Sequence, residues 1–403
     1  MNYNMSTCHQ KIIEILNIIS KTEGIVSEAG LLGGKTGLYT ALLVHAVNSR
    51  DREFERAGEK LIETVFKELE HAESYVYSFS NGLAGIGWTL ELLEQKGYAQ
   101  YDTNSLLEDF DVVLAKVLEF EMNNGHYDFL RGALGVVLYF IRRMPKKEDL
   151  LPVLQKFVVQ LNEMGEKQPT GSIKWSSVLD IETQKTGYNI SLSHGMASIV
   201  VILSKLYAIK GIDQKMVQHL LQGCVNYILE QEIDKDKYGS FFPSYALEST
   251  EQIYGSRLAW CYGDLGISMA LWQAGVALQN ETWKNKALTV LLFAAEKRRD
   301  LQKNLVIDAC LCHGTAGAGH LFYRAWRNTG MSEFKNTADY WFEQTLKMAK
   351  FDDGLAGYKA WLPHIEKWAN VYGLLEGIAG TGLALLTYYH EIEPTWDECL
   401  LLS

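Results

Sequence analysis

Residues 51–93 read DREFERAGEKLIETVFKELEHAESYVYSFSNGLAGIGWTLELL, and the pattern in this stretch decides the fold. Its opening part is one-sided: Phe54, Ala57, Leu61, Ile62, Val65, Phe66 and Leu69 recur at the 3.6-residue period of a helix. A Gly-x-x-Gly step follows, from Gly82 to Gly85, and opens a second helix-length segment that is apolar nearly all round. A helix with one apolar stripe covers a core, whereas a helix without a polar face is buried inside it. The pair therefore stacks with its second member inward.

The same step punctuates the whole chain. It appears as GKTG at Gly34–Gly37, GALG at Gly132–Gly135, GDLG at Gly263–Gly266, GTAG at Gly314–Gly317 and GIAG at Gly377–Gly380. A degenerate copy, GMAS, runs from Gly195 to Ser198. First glycines are separated by 48, 50, 63, 68, 51 and 63 residues, room in each case for two helices and their loops. The expected fold is all-α, with seven helix-pair repeats in a single domain over 1–403. Repetition by itself does not choose between a closed two-layered α/α toroid and an open solenoid. Glycine at each step lets packed backbones approach closely. No strand precedes the steps and no Gly-Lys-Ser/Thr follows, so they are not phosphate loops.

Composition narrows the function classes. Six prolines among 403 residues permit long helices, and a formal charge of -11 opposes non-specific binding to nucleic acid. No run approaches the roughly 20 apolar residues of a membrane span, and the N-terminus reads as an amphipathic first helix without the pattern of a secretory signal. A soluble, cytoplasmic protein is expected. Its six cysteines, Cys8, Cys224, Cys261, Cys310, Cys312 and Cys399, are too few for a disulfide framework in so long a chain.

The chemistry-bearing residues share one register. Cys261 and Cys312 each stand two residues before a step, and His194 and His313 each stand one before. Equivalent positions in successive repeats should lie at the same end of the fold, so these side chains should meet around one mouth. Two thiolates and an imidazole form a Cys2His set, which suits Zn²⁺ and leaves one tetrahedral position open, as catalytic zinc sites do. Cys310 lacks the register and reads as core. Arg257 lies one helical turn before Cys261, Tyr262 follows it, and Asp128 stands four residues before Gly132. Read singly, Arg257 suits a surface charge, Tyr262 core packing and Asp128 a helix N-cap.

These segments, SRLAWCYGDLG, CHGTAG, SHG and YDFLRGALG, resemble the lanthionine synthetase C-like family, and the likeness extends through all seven steps. The resemblance implies a closed toroid of two concentric helical layers with zinc at one end, held by Cys261, Cys312 and His313. It further implies His194 as catalytic acid or base, Asp128 as its partner, and Arg257 and Tyr262 lining the site. Ser198 and Asp264 depart from the expected pattern.

The implied reaction is thioether ring closure in a precursor peptide whose Ser and Thr residues are already dehydrated. A separate dehydratase, and a transporter, are the implied partners, with association at the inner membrane face through such a complex. Addition of an external thiol such as glutathione, and a non-catalytic zinc-containing peptide-binding scaffold, are the competing expectations. Glycan-processing toroids would need paired carboxylates at the repeat ends, where this chain has cysteine and histidine.

Overall fold

The computed structural model describes residues 5–22, 24–180, 182–363 and 365–403; the first four residues of the expected N-terminal helix lie outside this set. In chain order the helices are α1 Met5–Ile19, α2 Lys35–Ser49, α3 Arg52–Glu70, α4 Leu83–Gln95, α5 Thr103–Leu106, α6 Glu108–Asn123, α7 Ala133–Arg143 and α8 Leu151–Met164. They continue with α9 Met196–Tyr207, α10 Gln214–Glu230, α11 Lys235–Tyr238, α12 Asp264–Ala277, α13 Glu281–Lys297, α14 Thr315–Thr329, α15 Ser332–Lys347 and α16 Ile378–Tyr389. Short hairpins are the only sheets among the described residues: β1 Glu166–Lys167 with β2 Ile173–Lys174, β3 Ser176–Asp180 with β4 Lys185–Tyr188, and β5 Ala360–Leu362 with β6 Lys367–Ala369. Among the described residues no helix is long and apolar enough to cross a membrane.

Two compact units divide the chain, Met1–Thr103 with Leu305–Trp396, and Asn104–Asn304 with Asp397–Ser403. In the first, α2 packs on α3, α14 on α15 and α16 on α1, while α16 also touches α2 and α14. In the second, α9 packs on α10 and α12 on α13, α7 contacts α6 and α8, and α9 lies against both α7 and α12.

Helices α2, α4, α7, α9, α12, α14 and α16 follow the seven steps, and the first glycine of each step is the N-cap. They are buried as the sequence predicts; in α4 even Glu91 is inside. The partner helices are one-sided. In α3, Phe54, Leu61, Ile62 and Val65 are buried, while Ala57, Phe66 and Leu69 form the half-buried margin of the stripe. Gly58, absent from the predicted face, is buried because the Tyr39 ring lies where its side chain would be, 3.1 Å from an added Cβ.

The step has a specific backbone cause. The N–H of the residue after the first glycine donates to the carbonyl six residues before that glycine. This bond joins Lys35 to Glu28 (2.9 Å), Leu83 to Val76 (2.9 Å), Ala133 to His126 (3.1 Å), Met196 to Asn189 (2.8 Å), Thr315 to Asp308 (2.9 Å) and Ile378 to Val371 (3.0 Å). The resulting loop curls over the helix start and leaves no room for side chains at the glycines. At Gly85 a Cβ would lie 2.0 Å from the Phe79 carbonyl oxygen. Ser198 replaces the second glycine of its repeat, and its hydroxyl donates to the Gly195 carbonyl (2.6 Å).

Adjacent loops are stitched at one position, the residue two before each step. In the first unit the N–H of Cys312 donates to Leu375 (3.1 Å), that of Leu375 to Leu32 (2.9 Å) and that of Leu32 to Ser80 (2.7 Å). In the second, the N–H of Ser193 donates to Cys261 (3.3 Å). Equal register therefore does mean lateral adjacency inside each unit.

The GDLG repeat is built differently. Gly263 has φ +84°, in the left-handed region that favours glycine. Asp264, the residue out of pattern in the sequence, is fully buried. Its carboxylate accepts from the backbone N–H of Phe241 (3.0 Å) and Phe242 (3.0 Å) and from Arg298 Nη1 (2.9 Å). Arg298 in turn donates to the Ser256 carbonyl (2.5 Å) and to Asn304 Oδ1 (2.8 Å). A buried ion pair thus anchors the loop that carries Cys261 and Tyr262.

Candidate active site and metal ligands

Within the second unit, the loop 124–131, strand β3 and the loop before α9 enclose a cleft of about 400 Å³. Asp128, His194 and Tyr262 all line it. His194 Nδ1 lies 2.6 Å from Asp128 Oδ2. An ionised carboxylate only accepts, so Nδ1 carries the proton of this bond and Nε2 is the nitrogen left for a reactant. Asp128 is fixed in turn: its Oδ1 accepts from the Arg131 N–H (2.8 Å), which makes it a loop-turn residue, with Gly132 in the N-cap position. Burial by itself would push the Asp128 carboxyl up, but the hydrogen bond and charge of His194, with the Arg131 N–H, outweigh it and hold the group below the usual carboxylate range.

The backbone N–H of His194 donates to Ser191 Oγ (3.1 Å), which sets the imidazole's place in its loop. Tyr262 stands beside it, ring centroids 6.3 Å apart, and meets Tyr245 edge-on at 5.6 Å. Burial, reinforced by Tyr245, pushes the Tyr262 phenol up, so it is an intact O–H donor at neutral pH. Asn189 bonds Tyr262 through its side chain and accepts the Ser191 N–H on Oδ1 (2.9 Å).

Cys261 precedes Tyr262 and is buried, with its carbonyl taken by the N–H groups of Leu192 and Ser193. Arg257 does not sit on a helical turn before it, as the spacing suggested. The segment from residue 251 to Gly263 is irregular because Asp264, Arg298 and Ser256 shape it, and Arg257 is half-buried there, outside the cleft lining.

In the first unit, Cys312 and His313 lie on the closed loop before α14, Cys312 buried and His313 partly open. Ligand atoms of Asp308, Cys310 and His313 fall within 4.8 Å of one another. The Asp308 carboxylate is already committed to the backbone, accepting from Cys310 N (3.1 Å) and Trp361 N (3.0 Å). It stands 3.9 Å from His313 Nε2, beyond hydrogen-bond distance.

The sequence model of the lanthionine synthetase C-like proteins matches residues 25–401. The chain belongs to that family. It is 26% identical over 400 residues to the nisin biosynthesis protein NisC of Lactococcus lactis subsp. lactis, covering 93% of this chain and 89% of that protein. The solved structure of a nisin cyclase superposes with a TM-score of 0.76 at 21% identity, over 96% of both chains. The fold class is accordingly the all-α, α/α toroid, the closed alternative that repetition alone left open.

Three residues of this family member escaped the sequence reading. Arg131 lines the cleft, is exposed, and makes no ion pair or side-chain hydrogen bond among the described residues. It stands one residue before its step, the register of His194 and His313, so the signal was present. Asn189 and Tyr245 carry no such mark, because their roles arise from the way their loops fold onto Tyr262.

Proposed function

We propose that this chain is a zinc-dependent lanthipeptide cyclase, a single domain over 1–403 that joins peptide cysteines to dehydroalanine and dehydrobutyrine residues as thioether rings. The observation that carries this reading is the His194–Asp128 pair sharing a cleft with Tyr262, the residue directly after Cys261, in a chain similar to NisC. Cys261, Cys312 and His313 would hold the metal. Support comes from their donor chemistry, two thiols and an imidazole, and from the step register at which both cysteines stand. When bound, zinc would lower the pKa of a substrate thiol and keep it as thiolate.

The remaining work falls to side chains. The sulfur forms a bond to the β-carbon, the C=C electron pair moves toward the carbonyl, and the resulting enolate takes a proton at the α-carbon. His194 Nε2 is the group to deliver that proton, since Asp128 holds Nδ1–H and thereby the ring. The Tyr262 hydroxyl, kept protonated by burial, donates toward developing oxyanion charge. Arg257, on the same segment but outside the cleft lining, would add positive charge in the same sense. The thiol proton lost and the α-proton gained balance, so the product has the mass of the substrate. The enzyme would work in the cytoplasm, downstream of a separate dehydratase.

Incubating the purified protein with a dehydrated peptide that contains cysteine tests this. Loss of free thiol at constant peptide mass is expected. With glutathione supplied, a peptide mass raised by one whole glutathione, without ring closure, would instead assign the site to external thiols.

A further inference from the structure

Counting back one residue from each step gives a single register, and in the second unit Arg131, His194 and Tyr262 fill it in successive repeats. All of them line the same cleft. His194 and Tyr262 have parts in the chemistry above, whereas Arg131 has none. One carboxylate ties it to the acid–base pair: Asp128 accepts the Arg131 backbone N–H on Oδ1 (2.8 Å) and meets His194 Nδ1 on Oδ2 (2.6 Å). The base of the arginine is thus fixed beside the pair, while its side chain is exposed. The other charged or titratable acid and imidazole groups of the lining are committed. Asp128 and His194 hold each other, and His126 Nδ1 is paired with the Glu121 carboxylate. Among the charged groups of the described lining, the Arg131 guanidinium alone has neither ion pair nor hydrogen bond. Its planar fork of N–H donors matches the two oxygens of a carboxylate.

We propose that Arg131 selects the substrate by binding a carboxylate of the peptide close to the dehydro residue. The inference rests on the cyclase reading above. A carboxylate is the anion that a peptide of ordinary residues offers, from an aspartate or glutamate side chain or from its C-terminus. In a chain of net charge -11, an acidic segment is repelled unless a local cation receives it. The exposed guanidinium suits this ground-state contact better than the enolate, because solvent screens its charge and Tyr262 already serves the oxyanion. An extended chain advances about 3.3 Å per residue, so an arginine anchored beside His194 reaches a carboxylate within about three residues of the dehydro residue. Segments with an acidic residue there are closed first, and segments with lysine there last.

The test uses the full-length protein supplied with Zn²⁺ and synthetic peptides with one cysteine and one dehydroalanine. Aspartate, asparagine or lysine is placed in turn at each position within about three residues of the dehydroalanine, in C-terminally amidated and free-acid forms. At the contacting position, KM for the aspartate peptide should be about tenfold below that for the asparagine peptide, the worth of one charge-assisted pair. This advantage should shrink as salt is raised. In Arg131→Ala it should vanish, and in Arg131→Glu the lysine peptide should become the preferred one. If the advantage follows the free-acid form instead, and again vanishes in Arg131→Ala, the carboxylate bound is the C-terminal one. A carboxylate advantage that survives in Arg131→Ala, or none in the parent protein from either source, overturns the proposal and leaves the cyclase reading standing. No turnover of any peptide by the parent protein overturns both.

Discussion

His194 and Asp128 are 66 residues apart in sequence and 2.6 Å apart in the fold. If Nε2 delivers the α-proton, His194→Ala should retain zinc and slow ring closure by a factor on the order of 10² or more. Unchanged single-turnover rates would remove His194 from the mechanism. Asp128 has a depressed folded-state pKa, so its contribution to stability is complete above the unfolded value of about 3.9 and is lost as pH falls through the lower folded value. Melting temperatures of the parent and of Asp128→Asn should therefore differ at pH 5 and converge as the pH falls below about 4. A gap that widens as the pH falls below about 4 would reverse the assigned sign. Arg131 belongs to the same scale: its side chain has no partner among the described residues, and Arg131→Ala should raise KM about tenfold at nearly constant kcat. A fall in kcat alone would make it part of the chemistry instead.

The steps, helix pairs and inner–outer alternation were legible at the scale of elements because each repeat solves one steric problem in one way. The carbonyl six residues before the glycine occupies the space of a side chain, so glycine marks the place. Gly85→Leu should cost about 2 kcal/mol or more, read as a lower Tm, because the Phe79 carbonyl cannot move without breaking its loop. An unchanged Tm would mean that the loop is soft. The GDLG repeat was harder to read. Its loop is held by Asp264 and Arg298, partners 34 residues apart, and no local pattern announces such a pair. This is why Arg257 was misplaced on a helical turn. Asp264→Ala should be destabilising by about 3–5 kcal/mol, since it strands a buried guanidinium; a loss below 1 kcal/mol in chemical denaturation would refute the anchor. Strands β3 and β4 gave no sequence signal either, as SSVLD and KTGY lack the alternation of a half-buried sheet.

For the molecule as a whole, family and fold class were legible, since WCYG and CHG at their spacing belong to few architectures. For the chemistry at those motifs we propose that Cys261, Cys312 and His313 would together hold one Zn²⁺, with a position left for a substrate thiol. Metal content of the purified protein, measured side by side with Cys261→Ala and His313→Ala, tests it most directly. One zinc per chain in the parent and next to none in either folded variant is the predicted result. A folded parent that cannot take up stoichiometric zinc, or full occupancy in either variant, would contradict it.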